Sequence, residues 1–284
     1  MPSSPFYAFY GHHKCATMWL NRILSSVCNK LALKFEAVYD EEDFGRDIQK
    51  YVTDQRIDFL SYGNADLSFV ESLGQHRAFH VIRDPRDIVV SAYFSHMRSH
   101  STDDWPELIK YRDKLNSVSK NEGLALEIEN RAREFHHLSS WDYAQEDILE
   151  IRFEELVAQS YEHILRILDH LQLVDESDYR WTDRARTLAL ELLDFLIPAS
   201  ARSITRAIKP AKLSGAEVMV TTWRNRFQAQ TAGRKQGQEN LTSHYRKGQP
   251  GDWQNHFQPE HKTLFKELYP GLLTTLGYED SDDW

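Results

Sequence analysis

The apolar positions near the start of the chain change from a short continuous run to a helical spacing. Residues 6–10 (Phe-Tyr-Ala-Phe-Tyr) form the run, and a short polar turn follows it. After that turn, apolar residues recur three or four positions apart, at Leu20, Ile23, Leu24 and Val27. This pattern predicts a buried strand that passes through a tight turn directly into an amphipathic helix.

Four more apolar segments predict strands, at 35–39, 57–62, 78–82 and 149–153. Asp84 followed by Pro85 predicts the start of a helix directly after the third of them, because Asp caps helices and Pro fits the first helical position. Strands that alternate with helices favour a parallel sheet covered on both faces. We therefore predict an α/β, three-layer fold with a central parallel sheet flanked by helices and a phosphate-binding loop.

The domain organisation follows from what the chain lacks. No linker rich in Pro, Gly or Ser divides residues 1–284, and no internal repeat is visible, so we predict a single domain.

Residues 98–122 are polar and predict a helical lid. Residues 200–250 predict a long loop, and between Arg224 and Lys247 it carries six Lys or Arg and only one acid, Glu239. We expect this loop to bind an anion, with a solvated surface loop as the alternative.

Composition narrows the functional classes. The chain has 284 residues, of which 41% are apolar, and its formal charge of −9 disfavours a nucleic-acid partner. Its two cysteines, Cys15 and Cys28, favour a reducing compartment. We find no secretory signal before the first strand and no apolar run of membrane-spanning length, so we expect a cytoplasmic protein without a membrane partner.

The first turn, residues 11–16, carries candidate chemistry. A strand that leads into a helix N-terminus directs backbone N–H groups at the turn, and Lys14 adds a positive charge there, so the turn suits a phosphate or sulfate. The ATP- and GTP-binding form of this loop has a glycine before the lysine and a hydroxyl after it. Here those neighbours are His13 and Cys15, which disfavours a nucleotide-dependent phosphotransferase but leaves it as an alternative.

Three separated segments resemble motifs of the PAPS-dependent sulfotransferases of the cytosolic, small-molecule type. Residues 14–19 (Lys-Cys-Ala-Thr-Met-Trp) resemble their Lys-Ser-Gly-Thr-Thr-Trp loop. Residues 81–93 resemble their 3′-phosphate segment, with Arg83 and Ser91 eight positions apart. Residues 245–253 resemble their Arg-Lys-Gly-x-x-Gly-Asp-Trp motif. The three stand in the family's order and span nearly the whole chain.

This resemblance implies transfer of a sulfuryl group from 3′-phosphoadenosine-5′-phosphosulfate (PAPS) to the hydroxyl, or less expectedly the amine, of a small molecule. Lys14 would stabilise the bridging oxygen, Arg83 would bind the 3′-phosphate, and Trp19 and Phe227 would flank the adenine. No metal is expected. The residues implied in cofactor binding are Lys14, Cys15, Ala16, Thr17, Met18, Trp19, Arg83, Ser91, Phe227, Arg246, Lys247 and Gly248.

The chain departs from the family at the general base. Family members carry a Lys-Thr-His segment whose histidine is the base, whereas residues 61–66 here contain neither lysine nor histidine. In addition to Lys14, the catalytic candidates are Asp66 first, then His96, then His12 and His13. A helix-capping role is the alternative for Asp66, and a PAP- or PAPS-binding protein without turnover is the alternative function.

Milder departures concern the cofactor, the assembly and the acceptor. Met18 replaces a family threonine, and Phe153 replaces a tyrosine near the nucleotide. The dimerisation motif that follows Gly-Asp-Trp is not reproduced, which leaves the oligomeric state open. Aromatic and histidine side chains that could line the acceptor pocket are Tyr93, Phe94, His96 and Trp105.

Overall fold

The computed structural model describes residues 6–103, 105–175 and 210–284. Its centre is a sheet of five parallel strands in the order β2-β3-β1-β4-β5. The strands are β1 (Tyr7–Tyr10), β2 (Phe35–Val38), β3 (Phe59–Tyr62), β4 (Arg77–Ile82) and β5 (Ile148–Arg152). All five strands predicted from the sequence are confirmed to within two residues at each end, and Phe153, predicted as the last residue of the fifth strand, begins a helix instead.

Helices follow the strands. They are α1 (Thr17–Leu31), α2 (Ile48–Gln55), α3 (Leu67–Val70), α4 (Pro85–Phe94), α5 (Glu107–Ser117), α6 (Lys120–Glu129), α7 (Ala132–Ser140), α8 (Phe153–Ala158), α9 (Ser160–His170), α10 (Gly215–Arg224), α11 (Phe227–Gln230), α12 (Pro259–Leu268) and α13 (Leu272–Thr275). A π-helical turn (Ser95–Ser99) continues α4, and a 3₁₀ turn covers Asp252–Asn255. Two short strands, β6 (Val174–Asp175) and β7 (Leu213–Ser214), pair in parallel.

The sheet is covered on both faces, as the sequence predicts. Successive residues of β1 point to opposite sides, so Phe9 belongs to one apolar cluster while Ala8 and Tyr10 belong to the other. The first cluster includes Leu20 of α1, and the Phe9 ring stacks on a ring from β4. The second cluster includes Ile48 of α2. The α/β prediction is therefore confirmed.

The middle position of β1 determines where a ligand can reach the sheet. The chain leaves β1 toward one edge, returns through β3, and then places β4 on the other side of β1. Ligands of parallel sheets bind beyond the carboxyl ends of the strands, where the topology changes direction. The turn after Tyr10 and the segment after Ile82 both lie at that edge.

The prediction of one long loop over 200–250 is wrong in part. Residues 200–209 lie outside the described residues, but residues 215–224 form α10. The Ser214 side chain accepts a hydrogen bond from the Glu217 backbone, and the Glu217 side chain bonds back to Ser214. This capping box, Ser-x-x-Glu, was readable in the sequence. The predicted lid contains α5, which buries Leu108 and Leu115, and the start of α6.

Within the described residues, none of the helices combines the length and the apolar character needed to cross a bilayer.

Candidate functional site

The turn between β1 and α1 is closely wrapped around the start of the helix. Lys14 and Ala16 adopt left-handed backbone conformations, with φ of 67° and 68°. A Cβ on Gly11 would lie 2.9 Å from the Phe9 ring and 3.1 Å from the Thr17 hydroxyl, so only glycine fits there. Non-glycine residues in this conformation are strained and occur preferentially at functional sites. The conformation directs the turn across the N-terminus of α1.

Lys14 is held inside the site by a residue of the π-helical turn. Its Nζ donates a hydrogen bond to the Ser95 Oγ at 2.9 Å. Burial, together with the charges of Arg83 and Arg131, lowers the pKa of Lys14 to about 7. Arg246 acts in the same direction, and Glu127 partly offsets it. The lysine therefore lies in a pocket with an excess of positive charge, which favours an anionic ligand.

Arg83 joins the carboxyl end of β4 to the first turn. Its guanidinium donates to the Lys14 carbonyl at 3.0 Å and lies over the Phe153 ring at 4.4 Å. Its Nε is buried and has no hydrogen-bond partner among the described residues. A terminal nitrogen of the Arg83 guanidinium lies 3.9 Å from a carboxylate oxygen of Asp87, at the limit of an ion pair. Ser91 is half-buried two turns further along α4. The structure thus brings Arg83 to the turn that holds Lys14.

The C-terminal motif is fastened to α4 through Asp87. This buried carboxylate accepts hydrogen bonds from the Gly251 backbone at 2.6 Å and from the Trp253 backbone at 2.9 Å. Asp252 lies between these two residues and forms ion pairs with Arg246 and Lys247. The third motif is consequently docked beside Arg83, although 164 residues separate Gly251 from Asp87.

Of the two predicted adenine-binding residues, Phe227 lies against the C-terminal motif and Trp19 is bonded to the backbone two positions before Phe227. The Trp19 Nε1 donates to the Asn225 carbonyl at 2.8 Å. Gly248 has φ of 65°, and a Cβ there would lie 2.4 Å from the Phe227 ring. The backbone of Gly248 therefore packs directly on that ring, and glycine is required for the approach.

Three residues of the first motif make contacts with the protein itself. The Thr17 hydroxyl donates to the His12 carbonyl at 3.3 Å. Met18 is exposed, and its sulfur accepts a hydrogen bond from the Tyr39 hydroxyl at 3.5 Å. Burial raises the pKa of the Cys15 thiol to about 12, so this thiol stays protonated.

Asp66 caps α3. One of its oxygens accepts hydrogen bonds from the Ser68 backbone at 2.9 Å and the Ser68 hydroxyl at 2.7 Å, and the other lies 3.6 Å from the His137 Nε2. Partial burial raises the pKa of Asp66, but the bonds from Ser68 outweigh it and the net pKa is below the usual value. One oxygen is thus hydrogen-bonded within the cap of α3, whereas the other makes only the longer contact with His137.

His96 differs from Asp66 because one of its nitrogens is unused. Its Nδ1 lies 3.1 Å from a Glu127 oxygen, whereas its Nε2 is buried without a hydrogen-bond partner among the described residues. The imidazole stacks on that of His13, with ring centroids 5.1 Å apart and planes within 8°. Burial lowers the pKa of His96 to about 4, despite Glu127. The ring is uncharged at neutral pH.

His12 and His13 have their nitrogens partly committed. Arg131 donates to the His13 Nδ1 at 3.0 Å, so a proton on this ring belongs on Nε2. The His12 Nε2 lies 2.8 Å from the Nε2 of His80, on β4. Burial lowers the pKa of both turn histidines well below the usual value.

Three residues of the site were not predicted from the sequence: Ser95, Glu127 and Arg131. Ser95 reaches Lys14 across 81 positions of sequence, and Glu127 reaches His96 across 31. The only local signal is the spacing of Glu127 and Arg131, four positions apart, which form an ion pair at 3.0 Å.

One group of potential metal ligands occurs among the described residues. Side-chain ligand atoms of Glu239, Asp252 and His256 lie within 4.8 Å of one another. Arg246 and Lys247 already pair with Asp252, and a cation would have to displace these positive charges.

Comparison with known proteins gives structural neighbours only. No protein-family model matches the chain, and no curated protein matches it in sequence. A crystal structure of mouse sulfotransferase SULT7A1 complexed with PAP aligns with 94% of this chain and 84% of its own, at 17% identity and a TM-score of 0.49. A crystal structure of retinol dehydratase with androsterone and the inactive cofactor PAP aligns with 99% and 83%, at 14% identity and a TM-score of 0.46.

Proposed function

We propose that this chain is a PAPS-dependent sulfotransferase that acts on the hydroxyl of a small molecule. One observation carries the proposal: Arg83 meets Lys14 at the carboxyl edge of the sheet, while the guanidinium keeps a buried Nε without a partner among the described residues. A buried, unsatisfied donor beside a lysine of lowered pKa suits an anionic group. The residues present therefore fit a nucleotide with two separate phosphate groups.

The two ends of PAPS would be held by different parts of the site. Lys14 and the backbone N–H groups at the start of α1 would bind the 5′-phosphosulfate. Arg83, Ser91 and the Arg246–Gly248 segment would bind the 3′-phosphate, and Trp19 with Phe227 would flank the adenine. Arg246 and Lys247 are held in place by Asp252, so the cationic side chains are pre-positioned before a ligand arrives.

PAPS supplies an activated sulfuryl group whose bond to the 5′-phosphate is weak. The acceptor oxygen forms a bond to sulfur, the bond between sulfur and the bridging oxygen breaks with its electron pair on that oxygen, and PAP leaves. Lys14, when protonated, stabilises the charge on the bridging oxygen through its ammonium group. The acceptor's hydroxyl proton passes to a base of the protein.

We assign His96 as this base in preference to Asp66. The His96 Nε2 carries no hydrogen-bond partner among the described residues, and its stack on His13 places it beside the turn of Lys14. Asp66 uses its oxygens to cap α3 and to contact His137. His13 is disfavoured, since Arg131 occupies its Nδ1 and leaves a proton on Nε2.

The decisive experiment combines binding with turnover. Calorimetric titration should show PAP binding to the wild type, weak binding of ATP, and loss of PAP binding in Arg83→Ala. PAPS with a panel of phenols, alcohols and amines should then release PAP, and Lys14→Met should abolish the release. Binding without turnover would favour the PAP-binding alternative, and preferred binding of ATP would favour a phosphotransferase.

Several finer features belong to the same proposal. The hydroxyl acceptor rather than an amine, the single domain over residues 1–284, the absence of a metal and the cytoplasmic location stay predictions. The acceptor panel tests the first, and activity in the presence of a chelator tests the third.

A further inference from the structure

A buried carboxylate lies behind His96. Glu127 of α6 is fully buried, and one of its oxygens is 3.1 Å from the His96 Nδ1 and 3.1 Å from the Tyr111 hydroxyl. Its other oxygen pairs with Arg131 at 3.0 Å. Arg131 in turn donates to His13, the residue before Lys14. The carboxylate therefore touches the candidate base directly and reaches the anion-binding turn through a single arginine.

The protonation of Glu127 determines the tautomer of His96. Burial raises the pKa of Glu127, but Arg131 and the hydrogen bonds from His96 and Tyr111 outweigh it, so the net pKa is below the usual value. An ionised carboxylate only accepts hydrogen bonds, so the His96 Nδ1 must carry the proton. The Nε2 is then left as an unprotonated acceptor.

A purely structural role accounts for Glu127 less well. Most buried side-chain nitrogens have a hydrogen-bond partner, whereas the Nε2 of His96, like the Nδ1 of His12, has none among the described residues. Arg131 also forms an ion pair with a second acid, Glu134, at 2.9 Å, so Glu127 is not the only acid that compensates its charge. The contact that only Glu127 makes is the one to the His96 Nδ1.

We propose that Glu127 is a positioning residue, which holds His96 with its proton on Nδ1 and stabilises the imidazolium that forms when Nε2 accepts the acceptor's proton. This inference rests on the proposed function and specifies how its base is prepared. A π-helical turn contributes to the arrangement, since it carries Ser95 to Lys14 and His96 to Glu127 in consecutive positions.

The kinetic test compares Glu127→Gln with a matched control, Glu134→Gln. Both substitutions remove a carboxylate that pairs with Arg131, but only the first contacts His96. We expect kcat to fall about 100-fold or more in Glu127→Gln, in the range that a general base supplies. The KM for PAPS and the PAP affinity should stay within about twofold in both variants, and Glu127→Asp should recover part of kcat.

Equal kcat in Glu127→Gln and wild type, or equal losses in the two Gln variants, would overturn the inference. Absence of wild-type turnover with PAPS would instead count against the proposed function, so the two failures are distinguishable. An unfolded Glu127→Gln variant would be recognised by loss of PAP binding.

A second measurement needs no variant at the carboxylate. Nitrogen NMR of histidine-labelled wild type at pH 7 should show the His96 proton on Nδ1, with the signal assigned by its loss in His96→Asn. A proton on Nε2 would refute the inference whether or not Glu127→Gln folds.

Discussion

Binding of PAP should place a proton on Lys14. Burial and the neighbouring arginines hold the pKa of this lysine at about 7 in the free protein. At pH 8 the ammonium form is then present in only about one molecule in ten. Phosphate groups bound nearby favour the charged form and raise the pKa again. Binding at pH 8 should therefore take up about 0.9 proton per PAP, and at pH 7 about half a proton from this residue.

The same coupling between proton uptake and binding predicts how the affinity for PAP changes with pH. If PAP binds the ammonium form, its dissociation constant should rise about tenfold between pH 8 and pH 9, which corresponds to about 1.4 kcal/mol. Phosphate monoesters have a second pKa of about 6, so the ligand is already fully ionised in this range. The affinity for PAP is expected to fall as pH rises because deprotonation of Lys14 removes a positive charge that binds the anion.

The assay is calorimetry at pH 8 in two buffers that differ in ionisation enthalpy, because the difference in observed heat gives the number of protons exchanged. Lys14→Met should abolish the dependence of the heat on the buffer. Lys247→Met should weaken PAP binding but leave the buffer dependence unchanged. Heats independent of buffer in the wild type, or the same proton uptake in Lys14→Met, would refute the argument from burial.

Three further predictions concern the remaining parts of the site. Arg83→Met should weaken PAP binding about 100-fold or more by calorimetry, since charge-assisted hydrogen bonds contribute about 1.5–3 kcal/mol each; a loss below fivefold would contradict the 3′-phosphate role. Gly248→Ala should displace the Phe227 ring, because the added Cβ would lie 2.4 Å from it, and PAP affinity should fall at least about tenfold. Asp87→Ala should lower the free energy of unfolding by about 1–3 kcal/mol through loss of the bonds from Gly251 and Trp253. An unchanged midpoint in urea would contradict this last prediction.

The parts of the fold and site that were predictable depend on short stretches of sequence. Residues within a few positions of each other predict the alternation of strands and helices, the cap at Asp84 and the turn between β1 and α1. The capping box at Ser214 was equally local, but the basic and polar composition around it favoured the interpretation as a loop. A basic and polar composition indicates that a segment is exposed to solvent, but it does not exclude a helix.

Local spacing in the sequence was enough to predict the class of fold and the turn around Lys14, and the order of strands and helices was enough to predict Arg83 at the same edge of the sheet. The hydrogen bonds of the base candidates follow only from the tertiary structure, in which the His96 Nε2 and the His12 Nδ1 are buried without a partner among the described residues. Glu127 contacts the His96 Nδ1 across 31 positions, and Asp66 is hydrogen-bonded to Ser68 and lies 3.6 Å from His137. Such contacts depend on how separate helices pack against the sheet, and no short stretch of sequence specifies them.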